Sequence, residues 1–175
     1  LCHEHALQIM PADRIVTDND PAILLKTLSE FGISTPKSPP DSGIPPYPAF
    51  DLLTQIDYVC LLTSKGCPYR CRYCASHFLD PQPIHRDPEE VLEEILFWYT
   101  DYQVRDFAYY DDALLIEAEK HMALLLEKLA RHHLDIRFHT PNAVHVNEIT
   151  SEIATLMQQT GFQTLRLGLE TSDFS

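Results

Sequence analysis

The sequence predicts an α/β protein whose main domain is part of a (β/α) barrel or open sheet, with about four parallel strands present. Three observations carry that expectation. From residue 56 onward, short apolar runs alternate with stretches of helical periodicity, the pattern of βαβ units on a parallel sheet. The later strands alternate apolar with charged residues, so one face of the sheet looks onto a polar interior. Three cysteines follow the first barrel strand directly, at the strand end where α/β folds hold their ligands.

Taken in order, "RIVT" (14–17) reads as a short strand. "DNDPAILLKTLSEFG" offers Asp20 as N-cap, Pro21 at the first helical position and Gly32 as terminator, with Ile23, Leu24, Leu28 and Phe31 as its apolar stripe. Together they hold too little core to stand alone. Residues 34–50, "STPKSPPDSGIPPYPAF", contain six of the thirteen prolines and read as a stiff connector. Three segments result: 1–33, a connector over 34–50, and the barrel portion over 51–175.

Within the barrel portion, "DYVCLLT" (57–63) is a buried strand with Cys60 as a small hydrophobe. Asp87-Pro88-Glu89-Glu90 caps a helix with Val91, Leu92, Ile95, Leu96 and Tyr99 on one face; Glu89, Glu90, Glu93 and Glu94 are expected on its solvated side. "DFAYY" (106–110) is strand two, and Met122, Leu125, Leu126 and Leu129 mark the next helix. "DIRFHT" (135–140) is strand three, "SEIATLMQQTGF" a helix closed by Gly161, and "TLRLGLE" (164–170) strand four. Ile136 and Phe138 oppose Arg137 and His139; Leu165, Leu167 and Leu169 oppose Arg166, Gly168 and Glu170. A charged interior face requires water or a polar ligand, so the barrel centre is expected to be a cavity.

Composition narrows the classes. The formal net charge of −13 over 175 residues argues against a nucleic-acid backbone as partner. No apolar run reaches membrane-spanning length, and the N-terminus lacks a secretory pattern. The abrupt ends suggest a piece of something longer. Crowded thiols on one loop make a poor disulfide framework, which points to a reducing, cytoplasmic setting.

Cys67, Cys71 and Cys74 form C-x3-C-x2-C in "SKGCPYRCRYCASHF". Three thiolates on one loop can hold three irons of a 4Fe–4S cluster and leave the fourth iron free. The same trio with His77 makes a Cys3His set for structural zinc in a non-enzymatic module. Arg70 and Arg72 either offset a thiolate-bound cluster's charge or face solvent. Cys2 carries no signal, and His3, His5, His121, His132 and His133 are expected on the remnant or on polar helix faces.

At these residues the chain resembles a known family. "GCPYRCRYC" is similar to the C-x3-C-x-aromatic-C signature of the radical S-adenosylmethionine enzymes, with Tyr73 in the aromatic position. "RDPEEVLEEI", "FAYYDDALL", "RFHTPNAVHV" and "TLRLGLETSD" resemble, in order and spacing, the barrel of that superfamily's cobalamin-domain-containing branch. The likeness runs over roughly residues 50 to 175 and implies an incomplete (β/α) barrel of the radical S-adenosylmethionine type. Residues 1–33 look like the last strand and helix of a Rossmann-like cobalamin-binding domain.

The resemblance implies a 4Fe–4S cluster on Cys67, Cys71 and Cys74, with S-adenosylmethionine on the unliganded iron. Reductive cleavage to a 5′-deoxyadenosyl radical follows, and that radical takes hydrogen from the substrate. Methyl transfer to unactivated carbon, or a cyclising or rearranging step, is the implied outcome, with cobalamin a cofactor of the full-length protein. An electron donor such as flavodoxin or ferredoxin, and a small-molecule or peptide substrate, are the implied partners. The resemblance places Tyr73, Tyr110, Asp111, Asp112, Arg166 and Glu170 near the cofactor. Asp111 and Asp112 stand where an ammonium acceptor belongs, departing from the commoner Gly-Gly-Glu; one of them could instead cap the next helix.

Overall fold

In a computed structural model, residues 12–16, 21–35, 47–79 and 82–168 are described. The chain divides into two compact units between Pro46 and Tyr47. In the first, α1 spans Pro21–Glu30. Its end is fixed by Gly32, whose φ of 73° lets the Ile33 amide reach back to the Leu28 carbonyl. Residues 14–16 are not a strand: no described segment pairs with them, and a strand exists only through its ladder. Asp20 and most of the proline-rich connector lie outside the described residues.

The second unit holds β1 (Val59–Leu61), β2 (Ser64–Lys65), α2 (Ser76–Leu79), β3 (Ile84–His85), α3 (Pro88–Asp101), β4 (Asp106–Tyr109), α4 (Met122–His132), β5 (Arg137–Val144), α5 (Ser151–Gln159) and β6 (Phe162–Leu167). Strands β1, β4, β5 and β6 form one parallel sheet in that order, and β2 and β3 pair as a small antiparallel ribbon. Four sequential parallel strands joined through helices are the α/β sheet the alternation predicted, and their order is consistent with part of a barrel. Tyr47 and Phe50, read from sequence as connector, pack on Phe97 and Trp98 of α3, with centroids 5.2 and 5.7 Å apart.

The core lies between the sheet and the helices. Val59, Leu61, Phe107, Tyr109 and Phe138 from the strands meet Val91, Ile95 and Trp98 of α3, Met122, Leu125, Leu126 and Leu129 of α4, and Ile153 and Met157 of α5. Each fully buried aliphatic side chain contributes about 2 kcal/mol of transfer free energy, so this layer orients the sheet. Caps set the helix starts: Asp87 accepts from the Glu89 amide with Pro88 behind it, and Thr150 accepts from the Ile153 amide at 3.2 Å. Gly161 ends the turn after α5 with φ 93°; a Cβ there would stand 2.4 Å from the Ile136 carbonyl oxygen. No described helix is long and apolar enough to cross a membrane.

Two side chains depart from their expected surroundings. Glu94 is buried, not solvated: its carboxylate pairs at 2.6 Å with Arg86, which also donates to the Leu62 carbonyl at 2.8 Å. Tertiary placement of the β3 ribbon beside α3 supplies the cation that makes this burial tolerable. His121 is likewise 1% exposed, stacked on His85 at 4.5 Å between centroids. The loop preceding α4 turns inward there, and His85 Nε2 stands 3.7 Å from the Glu117 carboxylate. His132 and His133 are exposed as expected.

Burial and the neighbouring His85 lower the His121 pKa from 6.5 to about 4. The unfolded chain therefore takes up a proton near pH 6.5, whereas the folded chain does so only near 4. His121 thus leaves stability intact above pH 6.5 and removes up to about 3 kcal/mol as pH falls to 4. Urea denaturation of wild type and His121→Leu across pH 7.5 to 4.5 should show a shallower acid loss in the variant; equal slopes would contradict the buried neutral ring.

Candidate cluster and cofactor site

The site begins at the carboxyl end of β1. Thr63 and Ser64, both buried, follow the strand and lead into Gly66, whose φ of 80° turns the chain into the cysteine loop. Four donors from these two residues converge on one atom, Oδ1 of Asp111: the Thr63 amide (3.0 Å) and hydroxyl (2.7 Å), and the Ser64 amide (2.6 Å) and hydroxyl (2.7 Å). Asp111 is itself 2% exposed. Burial pushes its carboxyl above the ordinary aspartate range, against the pull of the four donors. Its other oxygen, Oδ2, is buried with no hydrogen-bond partner among the described residues. Asn142 of β5 donates to the Tyr110 and Asp111 carbonyls, which ties the turn after β4 to the next strand.

The cysteine loop lies over the ends of β4 and β5. Cys67 is buried against Ala113 and Ile116. The Tyr69 hydroxyl donates to Glu148 at 3.1 Å, and its ring lies 4.7 Å from that of His145. The Cys74 amide closes a turn onto the Cys71 carbonyl. Two hydrogen bonds link Cys74 Sγ to Ser76, one with the backbone amide at 3.4 Å and one with the hydroxyl at 3.3 Å. These lower its thiol pKa, whereas burial raises that of Cys67, helped by the negative charges of Asp112, Cys71 and Cys74. Among the described residues no three His, Cys, Asp or Glu side chains are gathered at metal-binding geometry. His77, the fourth member of the zinc alternative, packs on its neighbour Phe78 at 3.9 Å.

The other sequence-predicted residues fall into three groups. Asp112 is exposed and within electrostatic reach of Cys67 and Cys74. Neither Asp111 nor Asp112 caps a helix, because α4 begins well beyond them at Met122 with His121 as its N-cap. Tyr73 is 74% exposed on the outer side of the loop. Tyr110 and Arg166 line a cavity of about 410 Å³ on the sheet face opposite the helices, with Asp57, Tyr58, Asp106, Ala108, His139, Pro141 and Thr164. Glu170 lies outside the described residues. Arg137 and His139 face away from the core as their parity predicts, and both engage Asp106.

Reading the strands residue by residue missed Asp106 and Thr164. Asp106 had a legible signal, since it shares the parity of Ala108 and Tyr110, opposite the apolar Phe107 and Tyr109. Thr164 had none. Phe138 pairs with Phe162 and His139 with Thr164, so Gln163 is an extra residue, a β-bulge. The bulge reverses parity, leaving Phe162 stacked on Tyr109 and Phe138 while Thr164 and Arg166 face the cavity.

The family model described as the Radical SAM superfamily matches residues 61–174. The chain belongs to the Radical SAM superfamily. It is 24% identical over 135 residues to an uncharacterised methyltransferase of Pyrococcus horikoshii, covering 73% of this chain and 29% of that protein. It is 30% identical over 149 residues to an uncharacterised methyltransferase of Synechocystis, covering 81% of this chain and 27% of the relative. The chain thus spans less than a third of either relative. Its fold matches that of the radical S-adenosylmethionine methyltransferase TsrM from Kitasatospora setae, solved with cobalamin and a 4Fe–4S cluster bound, at TM-score 0.54 and 20% identity over 63% of this chain and 20% of that one.

Two outcomes are expected. In the metal-free, reduced chain, iodoacetamide should label Cys74 before Cys67, and Ser76→Ala should slow Cys74; mass spectrometry of labelled peptides reads the order. Asp111→Ala strands four donors and should cost roughly 3 kcal/mol in urea denaturation. Asp111→Asn keeps one acceptor oxygen and should cost clearly less.

Proposed function

We propose that this chain is the cluster- and S-adenosylmethionine-binding part of a radical methyltransferase, with Cys67, Cys71 and Cys74 as the cluster ligands. The observation that carries the reading is the thiol trio on a loop rooted at the carboxyl edge of the parallel sheet. The donor set suits the group: soft thiolates at short spacing on one backbone segment, one of them already favoured as thiolate by Ser76. The buried, unpartnered Oδ2 of Asp111 is the kind of acceptor a substrate ammonium needs.

When bound, the cluster and S-adenosylmethionine supply one-electron cleavage of a sulfonium C–S bond, which no side chain performs. The chain's own part is holding and excluding. Asp111 fixes the loop root through Thr63 and Ser64. Asp112 adds negative charge beside the cysteines, the sign that attracts an ammonium and a sulfonium. Tyr73, Tyr110, Arg166 and Glu170 complete the proposed contacts to the co-substrate. Cobalamin enters as a cofactor of the whole protein, together with a flavodoxin- or ferredoxin-type electron donor and a small-molecule or peptide substrate.

Anaerobic reconstitution with iron and sulfide tests the reading. The expected product is brown, holds about four irons per chain, and changes its reduced electron paramagnetic resonance spectrum when S-adenosylmethionine is added. Cys71→Ala should abolish the cluster. A colourless protein with one zinc per chain, or a cluster indifferent to Cys71→Ala, would overturn it.

A further inference from the structure

The cavity on the inner sheet face contains a relay that the cluster chemistry does not use. Asp106 at the start of β4 accepts from Arg137 through both of its oxygens, with Nε to Oδ1 at 2.7 Å. The same Oδ1 stands 3.1 Å from His139 Nε2, and His139 Nδ1 stands 3.0 Å from Thr164 Oγ1. Arg137 holds the Asp106 carboxyl below the usual range, so Asp106 is an anion that only accepts hydrogen bonds. With the imidazole neutral, the Asp106 contact places the ring proton on His139 Nε2. Its Nδ1 is left bare and takes the Thr164 hydroxyl proton. With its own proton committed inward, Thr164 Oγ1 presents lone pairs to the cavity.

That arrangement selects a ligand. The remaining walls are Tyr58, Tyr110, Pro141 and Ala108, a seat for a flat ring, and the volume suits a small molecule. The Oγ1 acceptor calls for a donor on that ring. Of the charged groups touching the relay or lining the cavity, Asp106 and Arg137 neutralise each other, which leaves Asp57 and Arg166, whose guanidinium also donates to the Pro141 carbonyl at 3.3 Å. A proton can pass along the relay only if the donor's acidity is within a few units of an imidazole. An aromatic hydroxyl, with a pKa of about 10, meets that condition and an aliphatic alcohol does not.

We propose that this cavity is a binding site for a phenolic compound, held as its anion by the Thr164–His139–Asp106 relay. The phenol O–H bond breaks and its proton goes to Thr164 Oγ1. The original Thr164 proton moves to His139 Nδ1, giving an imidazolium between Thr164 and the Asp106 carboxylate. The phenolate stays beside the re-formed Thr164 hydroxyl and the Arg166 guanidinium. Nothing is oxidised or reduced. Tyr110 and Arg166 are shared with the proposed S-adenosylmethionine contacts, so a ring seated here would lie next to that co-substrate. The proposal needs neither cluster nor co-substrate to be tested.

The experiment uses the 175-residue chain and 4-nitrophenol, whose coloured anion reports ionisation directly. Below the free compound's pKa, saturable binding should raise the anion-to-phenol ratio about tenfold, one pKa unit. Thr164→Val and His139→Gln should still bind the compound but lose that increase; Arg166→Gln should weaken binding itself. No saturable binding, or an increase that survives both relay substitutions, overturns the proposal. A second measurement on the unaltered chain guards against misfolded variants. Nitrogen-15 NMR of the imidazoles should show His139 as the Nε2–H tautomer, and an Nδ1–H tautomer would overturn the relay.

Discussion

One buried carboxylate holds the functional end of this protein together. Asp111 Oδ1 gathers four donors from Thr63 and Ser64, so the end of β1, the root of the cysteine loop and the turn after β4 share a single fastening. Burying a carboxylate costs several kcal/mol unless hydrogen bonds replace its water. Here the replacement is complete for one oxygen and absent for the other. The filled oxygen is architecture. The other oxygen is buried with no partner among the described residues.

A second fastening acts from behind. Arg86 joins the β3 ribbon to α3 through buried Glu94 and to the end of β1 through the Leu62 carbonyl. The His85–His121 stack fills the adjoining space with two rings. Both sides of the loop's root are therefore held by polar contacts that tolerate little displacement, while Tyr73, Phe78 and Leu79 at its outer side remain exposed.

Much of the fold was legible. Met122, Leu125, Leu126 and Leu129 pointed to a buried helix face, and all four are buried. Arg137 and His139 announced the cavity through their parity with Ile136 and Phe138, because a strand has no way to bury one face without turning the other toward the interior. Local pattern failed where the environment came from elsewhere in the chain. Glu94 looks like its solvated neighbour Glu93, and His121 looks like a surface residue; an arginine and a histidine from a distant ribbon decide otherwise. Trp98 and Tyr109, which the sequence reading did not single out as core, are the largest fully buried side chains among the described residues, since their depth depends on which helix crosses which strand.

By itself the sequence determined the alternation of strand and helix, the loop that carries three thiols, and the sign of the inner face, because periodicity and spacing are local properties of a chain. Tertiary structure alone decided which oxygen of Asp111 is occupied, that Asp106 meets both Arg137 and His139, and that the bulge at Gln163 sets Phe162 against the core while Thr164 meets His139. Those are contacts between residues far apart in sequence, and only the register between strands specifies them.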